Sequence, residues 1–182
     1  MDTLGVVECQ SIAVGVELAD GMVKVANVEL VRATTICSGR YIIFVSGDRE
    51  AVKTSVTHAE GSGRSLVGSF VISNISPLVL AALKKAGQAE ENDAIGVVEC
   101  RTVAANVSAA DAAVKRSNVS LLRFVAGQGI HGKSYFVLGG DVASVNEAVE
   151  AARESLGQRL VETVVIPAPD AAVVKTLTGA GR

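Results

Sequence analysis

Leu4-Gly5-Val6-Val7-Glu8-Cys9 recurs as Ile95-Gly96-Val97-Val98-Glu99-Cys100, and no other feature restricts the possible folds so strongly. Holding the offset of 91 keeps roughly half of the positions identical as far as Arg32 and Arg123, among them Ala19-Asp20 with Ala110-Asp111, Val23-Lys24 with Val114-Lys115 and Asn27-Val28 with Asn118-Val119. The match lapses at a turn and resumes, after a two-residue insertion, at Gly39-Arg40 with Gly132-Lys133. It then runs on through Gly47-Asp48 with Gly140-Asp141. Such a chain is a duplication of one folding unit. The polar stretch 86–93 reads as the linker, which places one domain at residues 1–88 and the other at 94–182.

Within each copy the hydrophobic period alternates. Gly5 to Cys9 is short and Val-rich, as a strand is, whereas Ala13, Val16, Ala19, Val23 and Ala26 recur at spacings of three and four and predict a helix. Residues 28–36 and 41–46 predict two strands joined by a turn. Asp48 and Asp141 are placed to cap helices that bury Val52, Val56 and Ala59, and Val145, Val149 and Ala152. A strand near 66–73 and a helix from Pro77 follow, with proline favoured in a first helical turn. Each copy reads β-α-β-β-α-β-α, a ferredoxin-like split βαβ unit with one extra helix, in the α/β (α+β) class.

Composition narrows the function. The formal charge of −2, the absence of Trp and the scarcity of Phe and Tyr leave neither a basic face nor a stacking platform, so nucleic acid is not an expected partner. No apolar run reaches the length of a membrane helix and no leader pattern precedes the first strand, so no membrane partner is expected and the cytoplasm is the expected location. Three widely spaced cysteines without C-x-x-C or His/Cys clustering argue against a disulfide framework and against a metal site within one chain. The helices are rich in Ala, Val and Gly. That suits either a subunit that tiles against neighbours or simply a small-residue core.

The turn Thr34-Thr35-Ile36-Cys37-Ser38-Gly39-Arg40 carries the only cysteine outside the repeated motif. One cysteine cannot hold a soft metal alone, but if three copies met around an axis at this turn, three sulfurs would converge. Cys9 and Cys100 end equivalent strands and are expected to be packing residues. Glu8 and Glu99 are repeat-equivalent and read as structural rather than as a catalytic pair, and Asp20 and Asp111 as solvated or capping. Residues 127–134 match the phosphate-loop pattern G-x-x-x-x-G-K-[ST], yet the pattern leads into a strand where a phosphate loop needs a helix N-terminus. Nucleotide binding there is not expected. His58 reads as a surface residue. With no convincing Ser/His/Asp, Cys/His or paired-carboxylate arrangement, an enzyme on this scaffold is the weakest reading.

The Gly-Val-Val-Glu-Cys start, the Ala-Asp-x-x-Val-Lys-x-x-Asn-Val helix, the Gly-Asp before the second long helix and Ile166-Pro167-Ala168-Pro169 resemble the bacterial microcompartment shell domain, over nearly the whole chain. Two such domains in tandem resemble the trimeric shell proteins, whose three chains form a pseudo-hexameric tile with a central pore. The turn at Cys37 is most similar to the propanediol-utilisation shell protein T family. That resemblance implies a structural shell protein rather than an enzyme: a homotrimer whose pore holds one [4Fe-4S] cluster for electron transport across the shell. One Cys37 from each chain would bind it, with a non-protein fourth ligand. The alternative is a cluster-free trimer whose pore passes small metabolites.

The resemblance also implies that Thr35, Ile36, Cys37, Ser38 and Gly39, with Gly129, Ile130, His131 and Gly132 from the second copy, line the pore. Arg40, if it faces the axis, would offset the cluster's negative charge. Lys24, Asn27, Lys115 and Asn118 match tile-edge residues that meet other shell proteins, and a redox partner enzyme is a possible visitor. The family's edge Arg is missing, with Ser76 in the first copy and Ala168 in the second. Ser38 stands where proline is more typical.

Overall fold

The computed structural model describes residues 3–84 and 92–179. The expected linker at 86–93 lies mostly outside them. The element order repeats as the sequence implies: β1 (Thr3–Cys9), α1 (Ile12–Val25), β2 (Glu29–Ile36), β3 (Arg40–Gly47), α2 (Arg49–Glu60), β4 (Leu66–Ile72) and α3 (Pro77–Lys84), then β5 (Ala94–Cys100), α4 (Val103–Arg116), β6 (Ser120–Ala126), β7 (Ser134–Gly140), α5 (Val142–Leu156), β8 (Leu160–Pro167) and α6 (Ala171–Thr178). Each copy builds a four-stranded antiparallel sheet, in the order β2-β3-β1-β4 and β6-β7-β5-β8.

The chain divides into two compact units, but not at the linker. The first comprises Met1–Ile75 with Thr102–Ala105 and Gly127–Gly132, and the second comprises Ser76–Arg101, Asn106–Ala126 and Lys133–Arg182. These packing units do not follow the sequence copies: α3, encoded by the first copy, packs on β6 of the second. Its apolar side chains explain the exchange. Val79 and Leu83 are buried, and the Ser76 amide donates to the Asp111 carboxylate at 2.7 Å, which makes Asp111 a capping residue. Asp20, its counterpart in the first copy, stays in solvent and pairs with Lys24 at 2.6 Å.

In the first unit, Val7, Cys9, Ile43 and Val45 meet Leu18, Ala19 and Met22 of α1 and Val52, Val56 and Ala59 of α2. Helix and sheet come close because Gly5 lacks a side chain: a Cβ there would stand 2.8–2.9 Å from Val45, Val56 and Val52. Gly96 repeats this against Val149 and Val145. Asp141 caps α5 through the Ser144 amide at 2.9 Å, as expected. Asp48 holds the equivalent N-cap position without a side-chain hydrogen bond. Cys9 and Cys100 are fully buried, as expected of packing residues, and Cys9 donates its thiol to the Ser11 carbonyl at 3.3 Å. No helix among the described residues is long and apolar enough to cross a membrane.

Gly5→Ala is expected to destabilise the fold by about 1–3 kcal/mol through overpacking. Combining it with Val52→Ala should recover part of the loss in urea unfolding, because the added methyl then fills space that Val52 vacates.

Candidate functional site

The Cys37 turn projects from the end of the β2–β3 hairpin, where Ile36 pairs with Arg40. Ser38 and Gly39 both take left-handed backbone angles, with φ 67° and 69°. Proline is locked near −65°, so it cannot occupy position 38 in this turn. The equivalent residues His131 and Gly132 repeat the geometry at φ 57° and 75°. Both copies make the same turn, and only the first places a cysteine before it.

The first unit also contains the second copy's loop Gly127–Gly132. The Cys37 amide donates to the Gly127 carbonyl at 3.0 Å, and the Ser38 hydroxyl to the His131 carbonyl at 3.3 Å. The amide of Gly129 in turn donates to the Cys37 sulfur at 2.9 Å. Close packing requires glycine at 127, where a Cβ would meet Ile36 and Val103 at 3.0 Å and where φ is 75°. The Gly129 hydrogen bond, supported by the amides of Ile130, Gly132 and His131, holds the Cys37 thiol below the ordinary cysteine range. The loop that matches a phosphate-binding pattern leads into β7, as the sequence reading held, and it turns its amides toward a sulfur.

Of the expected pore-lining residues, Thr35, Ser38, Gly39, Gly129 and His131 are exposed, and Cys37 and Ile130 are half-buried. Ile36 and Gly132 are buried within the chain, with Ile36 packed against Gly127. Lys24, Asn27, Lys115 and Asn118 are all exposed. His58 is also exposed, beside Gly21.

Arg40 does not face outward. Its guanidinium turns to Glu8 at 3.1 Å, with 27% of the Arg40 side chain and none of the Glu8 side chain exposed. The second Glu8 oxygen accepts the Ala104 amide at 3.1 Å, in the first turn of α4. Burial raises the Glu8 pKa, and the Ala104 amide and Arg40 oppose that rise. Glu99 pairs with Lys133 at 2.9 Å, but both remain accessible. The repeat thus conserves one strand-end ion pair and buries it only once. The sequence marked Glu8 and Glu99 as structural; it did not signal that Glu8 reaches a helix of the other copy.

The BMC domain model matches residues 3–75 and again 94–169. The chain belongs to the BMC-domain family of bacterial microcompartment shell proteins. It is 44% identical to the shell protein PduT of Citrobacter freundii, across 91% of this chain and 92% of that protein. A microcompartment protein of known structure from Desulfitobacterium hafniense DCB superposes with a TM-score of 0.85 at 40% identity, covering 95% of this chain and 98% of that one. The carboxysome shell protein CcmK1 of Synechocystis is 41% identical over 71 residues, 39% of this chain and 64% of CcmK1. The tandem shell chain is a structural protein like these relatives, not an enzyme.

Two outcomes follow. Cys37 alkylation by iodoacetamide should show a midpoint below that of a free cysteine peptide and return to it on unfolding, read by mass spectrometry at the Cys37 peptide. Arg40→Met should cost about 2–3 kcal/mol near neutral pH by stranding a buried carboxylate, less than a fully buried pair would lose because Arg40 is partly solvated. Since the folded Glu8 pKa is raised, and rises further without Arg40, the native state holds this proton more tightly than the unfolded chain. The deficit should therefore be small while Glu8 is protonated in both folded proteins and grow as pH rises through its raised folded pKa, measured by urea unfolding across pH.

Proposed function

We propose that this shell protein is a homotrimeric tile in which three Cys37 thiolates, one per chain, hold a [4Fe-4S] cluster at a central pore for electron transfer across the shell. The observation that carries this reading is the Cys37 sulfur itself: it sits at an accessible turn and accepts a backbone amide at 2.9 Å from a loop whose other amides also favour the thiolate. Such N–H donors to sulfur are what cluster thiolates need, because they spread the negative charge of the thiolate–cluster unit. Among the described residues no group of three His, Cys, Asp or Glu could hold a metal. A ligand set therefore has to be assembled from several copies.

Each part of the turn has a task in this reading. Cys37 supplies one ligand, the amides of 129–132 neutralise charge at its sulfur, and the Ser38–His131 bond fixes the turn. Arg40 serves the fold through Glu8 and leaves charge compensation to the amides. When bound, the cluster supplies a one-electron couple, and a non-protein ligand completes its fourth iron. Lys24, Asn27, Lys115 and Asn118 face other shell proteins at the tile edges, within a shell in the cytoplasm, and a redox enzyme meets one face.

An anaerobic iron and sulfide assay, with EPR before and after dithionite, tests this on wild type and Cys37→Ala. About four irons per trimer, lost in the variant while the trimer persists, is the expected result. An iron-free trimer after anaerobic reconstitution sinks the cluster and leaves a pore for small metabolites.

A further inference from the structure

Left to itself, the loop Gly127–Gly132 is a poor support for a sulfur. Gly127, Gly129, His131 and Gly132 all take left-handed angles, and glycine gives up more conformational freedom on folding than any other residue. A Cβ at Gly129 would meet nothing within 4 Å, yet this is the residue whose amide reaches Cys37 at 2.9 Å. One amide–sulfur bond does not offset the ordering of so many glycines. The loop has to be held at its ends.

Both ends rest on groups that a single carboxylate holds. At the last residue, a Cβ on Gly132 would stand 3.4 Å from Arg40 Nη1 and 3.7 Å from its Cζ, so the guanidinium lies against the backbone there. The same Nη1 donates to Glu8 Oε1 at 3.1 Å. At the first residue, a Cβ on Gly127 would stand 3.0 Å from Val103 Cγ2. Val103 opens α4, and the next residue, Ala104, donates its amide to Glu8 Oε2 at 3.1 Å. The Glu8 side chain has no exposed surface, so neither oxygen can exchange its donor for water.

The second copy departs from this pattern at each point. Ile130 corresponds to Cys37 and Lys133 to Arg40, and the ion pair of Lys133 with Glu99 stays accessible. An ammonium is a point charge and cannot lie flat on a glycine backbone as a guanidinium does. The buried pair with two donors occurs in the copy that has a sulfur to serve.

We propose that Glu8 is the positioning residue of the Cys37 turn: by holding Arg40 on one oxygen and the start of α4 on the other, it fixes both ends of the loop Gly127–Gly132 and keeps the Gly129 amide on the sulfur. The assignment needs one chain only. It goes beyond the cluster reading by naming what prepares the sulfur before any ligand arrives.

Hydrogen exchange at the Gly129 amide, followed by NMR on the iron-free chain, reads the brace, and the pH midpoint of Cys37 alkylation reads its effect on the sulfur. In Glu8→Gln, exchange should quicken several-fold, by about the factor that one hydrogen bond contributes, and the midpoint should move up toward that of a free cysteine peptide. Arg40→Lys keeps a cation for Glu8 but no flat guanidinium on Gly132, and it should move both readouts the same way by less. Two controls separate positioning from stability. Gly5→Ala, destabilised in the same unit, and Glu99→Gln, the same change at the other strand end, should both leave the readouts at wild type. Unchanged readouts in folded Glu8→Gln, or an equal movement in Gly5→Ala, overturn the assignment. Should Glu8→Gln not fold, Arg40→Lys and Val103→Ala, which loosens the Gly127 end, decide by the same criterion. Neither readout needs iron, so a failed brace leaves the cluster reading standing and an iron-free trimer leaves the brace standing.

Discussion

A carboxylate with no solvent access ties segments of both sequence copies into the first unit. Glu8 ends β1, takes the guanidinium of Arg40 on one oxygen and the first-turn amide of α4 on the other. Removing a carboxylate from water is costly unless charge and hydrogen bonds replace the solvent. Here the replacement comes from both copies: the cation from the first and the helix amide, with its share of the helix dipole, from the second. Thr102–Ala105, which brings the second donor, belongs to the first unit. The same neighbourhood borders the candidate site: a Cβ at Gly132 would stand 3.4 Å from the Arg40 guanidinium, and one at Gly127 3.0 Å from Val103.

Duplication explains why the copies fold alike, and divergence explains why they are used differently. At one equivalent pair the first copy has Gly15 beneath the ring of Tyr41, where a Cβ would stand within 2.4–2.5 Å of the Tyr41 side chain. The second copy has Asn106, which donates to Ser134 at 2.9 Å, while Ser134 donates to the Val125 carbonyl at 2.7 Å. Volume has moved from strand to helix, and an aromatic contact has become a buried hydrogen-bond chain. Both solutions fill the same space between α1 or α4 and its sheet. What the duplication could not keep is symmetry of surroundings, since one strand-end pair is covered by the chain itself and the other is not.

The parts legible in the sequence were those set by local period and repeat. Strand and helix order followed from alternation against three-and-four spacing, and Cys9 and Cys100 could be placed in the core because their motif is apolar in both copies. Residues 127–134 were expected to lead into a strand rather than a helix because Ser134-Tyr135-Phe136-Val137-Leu138 has a strand's pattern, and β7 begins there. The illegible parts were long-range. Nothing local in Pro77–Lys84 tells α3 to leave its own copy for β6; that choice lies in Asp111, an aspartate whose counterpart Asp20 remains in water. Arg40 was given a charge-offsetting task only if it faced the axis, and no local pattern shows that the buried Glu8 carboxylate takes its guanidinium instead. The glycines at 127, 129 and 132 did carry a signal, since their spacing permits successive left-handed residues, but the pattern does not say which anion the amides will face.

That last ambiguity has a chemical resolution. A glycine-rich loop cradles an anion because its amides can converge without side chains in the way, and this property is indifferent to whether the anion is a phosphate or a thiolate. A phosphate loop adds the N-terminus of a long helix, whose dipole and free amides suit a multiply charged oxyanion. This loop adds instead a strand and, from the other copy, a sulfur held 2.9 Å from the Gly129 amide. An amide–sulfur bond is weaker than an amide–oxygen bond, so several are needed to move a thiol appreciably toward its anion, and the turn supplies amides from four consecutive residues. The left-handed angles of Gly129, His131 and Gly132 are what aim them. Their backbone cost is borne at folding, before any ligand arrives, and the thiolate then meets an environment already organised for charge.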